Sequence, residues 1–116
     1  SLFDARSQRV RPHLDDKVIA AWNGMAMSAF ARAGKALDDE AYVARASDVA
    51  NFILQHMCEG HARLFRCSRQ DSAAIKAFSE DYAFVIRGLL DLYACDFDIK
   101  WLKSSILLAD SLREFF

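Results

Sequence analysis

A stretch of fourteen residues without a charge, from Val18 to Ala31, constrains most strongly how this chain can fold. It is too short to cross a membrane, which takes about 18–20 apolar residues, and it contains the polar residues Asn23 and Ser28. Small and apolar residues occur on all of its faces, which is typical of a helix that is buried nearly all round. The stretch therefore predicts a buried helix and favours an all-α fold.

The composition indicates a globular chain. Of the 116 residues, 53% are hydrophobic and 12% are aromatic, and one proline with four glycines leaves room for long uninterrupted elements. The formal charge of −1 gives no general attraction to nucleic acid. The segment from Ser1 to Leu14 has no apolar run that could serve as a signal peptide. We expect an intracellular protein that binds neither nucleic acid nor membranes.

The length suffices for one domain with one core. The chain begins at Ser1 rather than at a methionine and stops within an apolar pattern at Phe115 and Phe116. We interpret residues 1–116 as a single partial domain, an excerpt of a longer chain. Because Leu112, Phe115 and Phe116 would then lack their covering sequence, we expect the excerpt to self-associate.

Four helices are predicted, and two tight connections join them into two antiparallel hairpins. The first predicted helix runs from about Asp16 to Ala36 with Asp15 as N-cap, and the second begins after Asp38-Asp39 and runs to about Cys58. The third follows its N-cap Ser79, and the fourth starts at Asp98. Hairpin one covers about 16–58, a loop 59–78, and hairpin two about 79–116. Within the loop, the alternation at Arg63–Cys67 predicts a short extended piece. The basic residues of this loop are interpreted as solvated: Arg63, Arg66, Arg69 and Lys76.

The two hairpins have the pattern of a repeated unit. An offset of 59 positions pairs Tyr42 with Trp101, Val49 with Leu108, Ile53 with Leu112, and Ala29 with Gly88. In both units a buried helix precedes an amphipathic one. Such hairpins stack into a solenoid or close into a ring, with the more buried helices on the inside.

Acidic pairs stand at the starts of both inner helices and are the candidate catalytic residues: Asp15, Asp16, Glu80 and Asp81. The positive end of a helix dipole favours ionised carboxylates, so these residues could act as a general base or hold sugar hydroxyls. The alternative is that they only cap their helices, which is the favoured role for one residue of the first pair.

Neighbouring polar and aromatic residues are the candidate substrate-binding residues: His13, Trp22, Asn23 and Tyr82. A buried Asn23 amide needs hydrogen-bond partners, so it either bonds another helix or faces a wet cavity. Gly24 beside it indicates a close helix approach or room for a ligand. In a stack or ring both acidic pairs would share one end, which would suit a neutral, hydroxyl-rich ligand such as a sugar.

Metal binding is not predicted. His56, Cys58, His61 and Cys67 are ligand types, but their spacing matches no standard zinc pattern. Cys95 is expected to pack in the core, and the chain has no Cys-x-x-Cys motif. We predict no metal and no other cofactor.

Two long motifs resemble the spermatogenesis-associated protein 20 family. They are Arg11–Gly24 (RPHLDDKVIAAWNG) and Ser79–Tyr93 (SEDYAFVIRGLLDLY), and the resemblance covers about Arg9 to Phe116. Members of that family have a thioredoxin-like domain in front of a helical region. The resemblance implies that this chain is a partial (α/α) toroid, similar to six-hairpin glycosidases and N-acylglucosamine 2-epimerases. In those toroids the sugar site lies at the N-terminal ends of the inner helices.

Two hypotheses of function follow. In the first, the segment binds or modifies a sugar or glycan, and an enzyme of this kind would be a sugar epimerase, isomerase or glycosidase that the segment alone does not complete. In the second, the hairpins are a non-enzymatic scaffold that docks the rest of the parent chain, including a thioredoxin-like redox domain. Fold analogy does not choose between the two hypotheses.

Overall fold

Four helices dominate the computed structural model, which describes residues 18–59, 63–68 and 75–116. The all-α prediction is confirmed. The helices are α1 (Ala20–Leu37), α2 (Glu40–His56), α3 (Ser79–Asp96) and α4 (Ile99–Phe115). None of them is long and apolar enough to cross a membrane.

Both hairpin turns are built in the same way. Asp38 is the C-cap of α1, with a φ of 52°, and Phe97 is the C-cap of α3, with a φ of 56°. Both residues are in the left-handed conformation. The next residue caps the following helix, because Asp39 accepts from the N–H of Ala41 and Asp98 accepts from that of Lys100, both at 3.0 Å. Every helix boundary of the second hairpin lies 59 positions after its counterpart in the first. The repeat offset from the sequence therefore extends to the backbone of the turns.

The inner helices α1 and α3 pack side by side and run parallel. Ser28 donates to Asp91, and Cys95 donates to the carbonyl of Ala31. The later residue of α1 thus pairs with the later residue of α3, as expected for parallel helices. A Cβ atom on Gly24 would lie only 2.6 Å from the carbonyl carbon of Phe84. The glycine thus allows a close helix approach, which is one of the two roles expected for it.

The core lies between the inner helices and the outer helices α2 and α4. Its larger fully buried side chains come from all four helices and from the connecting segment: Met27, Ile53, Met57, Leu64, Val85, Leu89, Leu92 and Leu108. Trp101 at the start of α4 is also buried, at 3% exposure, and its ring N–H donates to Asp96 at 3.1 Å.

A small antiparallel sheet joins the start of the first hairpin to the segment between the hairpins. The central strand β3 pairs with each of the other three strands. The strands are β1 (Val18–Ile19), β2 (Cys58–Glu59), β3 (Arg63–Ser68) and β4 (Ile75–Lys76). The short extended piece predicted at Arg63–Cys67 is confirmed as β3.

Two predicted helix starts are wrong. The first helix begins at Ala20 and not at Asp16, because the backbone of Val18 and Ile19 pairs with β3. The third helix has Phe78 as its N-cap, and Ser79 is already helical. Phe78 has no polar side-chain atom, so the cap consists of its own N–H bonded to the Asp81 carboxylate. The proposed N-cap Asp15 lies outside the described residues.

Candidate functional site

The N-terminal ends of α1 and α3 meet at the carboxylate of Asp81. Its Oδ1 accepts from the backbone N–H of Ala21 at 3.2 Å, so a side chain of α3 caps the first turn of α1. Its Oδ2 accepts from the N–H of Phe78 at 2.8 Å, within its own helix cap. One carboxylate thus satisfies the free N–H groups of two helix ends, where the helix dipoles favour negative charge.

Arg66 on β3 completes the surroundings of Asp81. Its Nη1 lies 3.5 Å from Asp81 Oδ2 and 3.3 Å from Glu80 Oε1, and its guanidinium sits 4.5 Å from the centre of the Phe78 ring. Asp81 is completely buried, whereas Glu80 is exposed. The two acidic residues of this pair therefore differ in access although they share one cation.

Tyr82 is also buried, and its hydroxyl oxygen accepts from the backbone N–H of Leu64 at 3.0 Å. Its ring meets the edge of Phe116, with centres 5.9 Å apart. The side chain thereby fixes β3 and the end of α4 against the start of α3.

Trp22 and Asn23 occupy the first turn of α1. Trp22 is 64% exposed, which is unusual for a tryptophan on a helix whose other side is buried. Asn23 is half-buried, and its Nδ2 donates to the carbonyl of Ile19 at 2.9 Å, one turn back. One expectation was that the Asn23 amide bonds another helix. Among the described residues it bonds instead the carbonyl of Ile19, at the start of its own helix.

The structure thus brings five of the eight predicted site residues to one end of the inner helices: Trp22, Asn23, Glu80, Asp81 and Tyr82. These residues differ in solvent exposure: Trp22 and Glu80 are exposed, whereas Asp81 and Tyr82 are buried. The remaining three, His13, Asp15 and Asp16, lie outside the described residues.

Sequence reasoning missed the part played by Arg66, which it placed in a solvated loop. The strand alternation around Arg66 gave no sign of the buried carboxylate that it contacts. It also missed a second polar link between the inner helices, where Asp91 accepts from the Ser28 hydroxyl and pairs with Arg32 Nε at 3.3 Å.

Cys58 and Cys95 have little nucleophilic character. Burial raises the pKa of the Cys58 thiol to about 11, and burial also raises that of Cys95. Over residues 18–59, 63–68 and 75–116, no three His, Cys, Asp or Glu residues are grouped so that they could hold a metal ion. His61 lies outside that part.

Comparison with known proteins identifies relatives of this chain. No protein-family model matches it. Spermatogenesis-associated protein 20 of mouse is 41% identical over 99% of the chain, the human protein 38% over 99%, and the rat protein 42% over 94%. The chain spans only about 16% of the length of the mouse and human proteins. It is therefore homologous to one segment of spermatogenesis-associated protein 20, which confirms the resemblance seen in its sequence.

Proposed function

We propose that this segment is a helical scaffold within a longer parent chain, and that the rest of that chain docks on it. The observation that carries the proposal is the complete burial of Asp81, with both oxygens bonded to backbone N–H groups of helix ends. A general acid or base must reach the proton it transfers, and this carboxylate has no surface from which to do so. Its geometry serves to hold two hairpins in register.

The inner helices offer a surface for docking. Met25 on α1 and Phe84 on α3 line one groove between the two helices, and both side chains are exposed. Trp22 lies one turn before Met25 on α1. Exposed apolar side chains grouped in this way are typical of surfaces that another part of a protein covers. By family resemblance, the parent chain includes a thioredoxin-like domain and further hairpins of an (α/α) toroid.

Binding or modification of a carbohydrate is the second candidate function. It is favoured by the exposure of Trp22 at the end of the inner helices, because an exposed aromatic face can stack on a sugar ring. Glu80 is the exposed carboxylate at the same helix ends and would accept hydroxyl hydrogens. In a carbohydrate-modifying enzyme, Asp81 would cap the N-terminal ends of the two helices and Glu80 would be the carboxylate that acts on the sugar.

Hydroxyl-radical footprinting of the parent protein distinguishes the two functions, because this segment has two tryptophans with opposite exposure. Trp22 is 64% exposed and Trp101 is 3% exposed in the hairpins alone. If the surface is covered by the rest of the chain, Trp22 is oxidised as slowly as Trp101. If it is a free sugar site, Trp22 is oxidised quickly and a bound oligosaccharide protects it.

A thermal-shift screen with sugars adds the second measurement. The carbohydrate function requires a sugar that raises the melting temperature of the parent protein but not that of the Trp22→Ala variant. Rapid oxidation of Trp22 without any stabilising sugar would contradict both functions.

A further inference from the structure

A cavity of about 300 Å³ lies between the start of α3, strands β3 and β4, and the end of α4. Its aromatic walls are Phe78, Tyr82, Phe115 and Phe116. Ligand pockets begin at about 300 Å³, and this one is open to solvent, since Phe78, Phe115 and Phe116 are between 46% and 63% exposed. The space therefore fits a ligand with one or two aromatic rings.

The charged side chains that line this cavity are both cationic. They are Arg63 and Lys76, and no aspartate or glutamate belongs to the lining. Neither cation forms an ion pair within the described part of the chain. The guanidinium of Arg63 lies 4.9 Å from the centre of the Phe115 ring, which holds it beside the apolar walls. A planar guanidinium in this position matches the two oxygens of a carboxylate.

Tyr82 contributes a buried side chain to the lining of the cavity. It lines the cavity and is 3% exposed, and its hydroxyl oxygen is already an acceptor for the N–H of Leu64. A phenol hydroxyl can also donate its own hydrogen, and among the described residues the Tyr82 hydroxyl is found only as an acceptor. A buried donor without a partner is costly, so a ligand oxygen placed here would be bound favourably.

We propose that this cavity binds a small aromatic carboxylate, with its ring among the phenylalanines and its carboxylate between Arg63 and Lys76. The site does not depend on the scaffold or the carbohydrate function, since it lies between α3 and α4 and uses neither Trp22 nor Glu80. Charge and size together select the ligand, because the apolar walls accept the ring and the two cations favour an acid over a neutral analogue.

Calorimetric titration of the 116-residue chain with 2-naphthoate tests the proposal, with the neutral 2-naphthalenemethanol as the matched ligand. The chain is made with an amidated C-terminus, so that no terminal carboxylate of Phe116 competes for the two cations. We expect saturable one-to-one binding of the acid and weaker binding of the alcohol. Arg63→Gln should weaken naphthoate binding about fivefold to tenfold and leave the alcohol unchanged, because only the charge-assisted contact is lost. Lys76→Gln should act in the same direction.

The matched control is Arg45→Gln, which removes a cation from the exposed side of α2. It should leave naphthoate binding unchanged, whereas an equal loss would show a general effect of net charge and overturn the site. Phe116→Ala should weaken the acid and the alcohol alike, because it removes an apolar wall. The absence of saturable naphthoate binding by the unsubstituted 116-residue chain, or unaltered binding by Arg63→Gln, would also overturn the proposal.

Discussion

The backbone N–H of Ala21 donates to the carboxylate of Asp81 across 60 positions of sequence. The first turn of one inner helix is therefore capped by a side chain of the other. The same carboxylate accepts from the N–H of Phe78, the N-cap of its own helix. One residue therefore sets the position of the two parallel helices relative to each other along their axes. This shared cap explains why a carboxylate is completely buried among residues that, within the described part of the chain, are otherwise uncharged.

Asp81→Asn should destabilise the fold by about 2–4 kcal/mol, because the amide keeps one acceptor oxygen but turns N–H hydrogens toward a backbone donor. Urea unfolding followed by circular dichroism measures the free energy of unfolding. Glu80→Gln is the matched control, since Glu80 shares Arg66 as partner but is exposed, and it should change stability by less than about 0.5 kcal/mol. Equal effects of the two substitutions would contradict the shared-cap role.

Gly24→Ala should destabilise the chain by about 2 kcal/mol or more, although alanine favours a helix by about 1 kcal/mol. The added Cβ would lie 2.6 Å from backbone atoms of Phe84, so the inner helices must separate. Thermal and urea unfolding both report this loss. Ala29→Gly, at an exposed position of the same helix, should cost only about 1 kcal/mol through helix propensity. A stabilising Gly24→Ala would show that the helices do not approach this closely.

Asp38→Gly should stabilise the chain by about 0.5–1 kcal/mol. Asp38 has a φ of 52°, a conformation that glycine adopts without a Cβ penalty, and the substitution also removes a negative charge from a helix C-terminus. Lys35→Gly, one turn earlier in the same helix, should instead cost about 1 kcal/mol. If both glycines destabilise alike in urea unfolding, the left-handed turn is not present in solution.

Cys58 should react slowly with iodoacetamide at pH 8. With a pKa of about 11 instead of about 9, its thiolate is about a hundredfold scarcer than that of an unhindered thiol. Mass spectrometry of the labelled peptide should show the rate rising toward pH 11, and the guanidinium-unfolded chain provides the fast reference. Rapid labelling of the folded chain at pH 8 would contradict the burial of this thiol.

The same shift sets the sign of a pH effect on stability. The folded chain keeps a proton on Cys58 that the unfolded chain releases above about pH 9. The stabilisation from this group is therefore present below pH 9 and lost as the pH rises toward 11. Cys58→Ala should reduce the fall in stability over that window.

The four helices, the two turns and the repeat were predictable from the amino-acid sequence. These features depend on local signals: the helical spacing of apolar residues, and aspartates at the turns that cap the outer helices. The offset of 59 positions, found from side chains such as Tyr42 and Trp101, reappears in every helix boundary. The sequence also located the candidate site at the starts of the inner helices.

The solvent exposure of those residues and their hydrogen-bond partners depend on tertiary contacts, which local patterns do not show. Asp81 and Glu80 are neighbours with the same chemistry, yet one is buried between two helix ends and the other faces solvent. The start of α1 was likewise set by strand pairing between Ile19 and Cys67. In each case the deciding partner lies tens of residues away in the chain. A local pattern identifies the type of residue, whereas its partner depends on how distant elements pack.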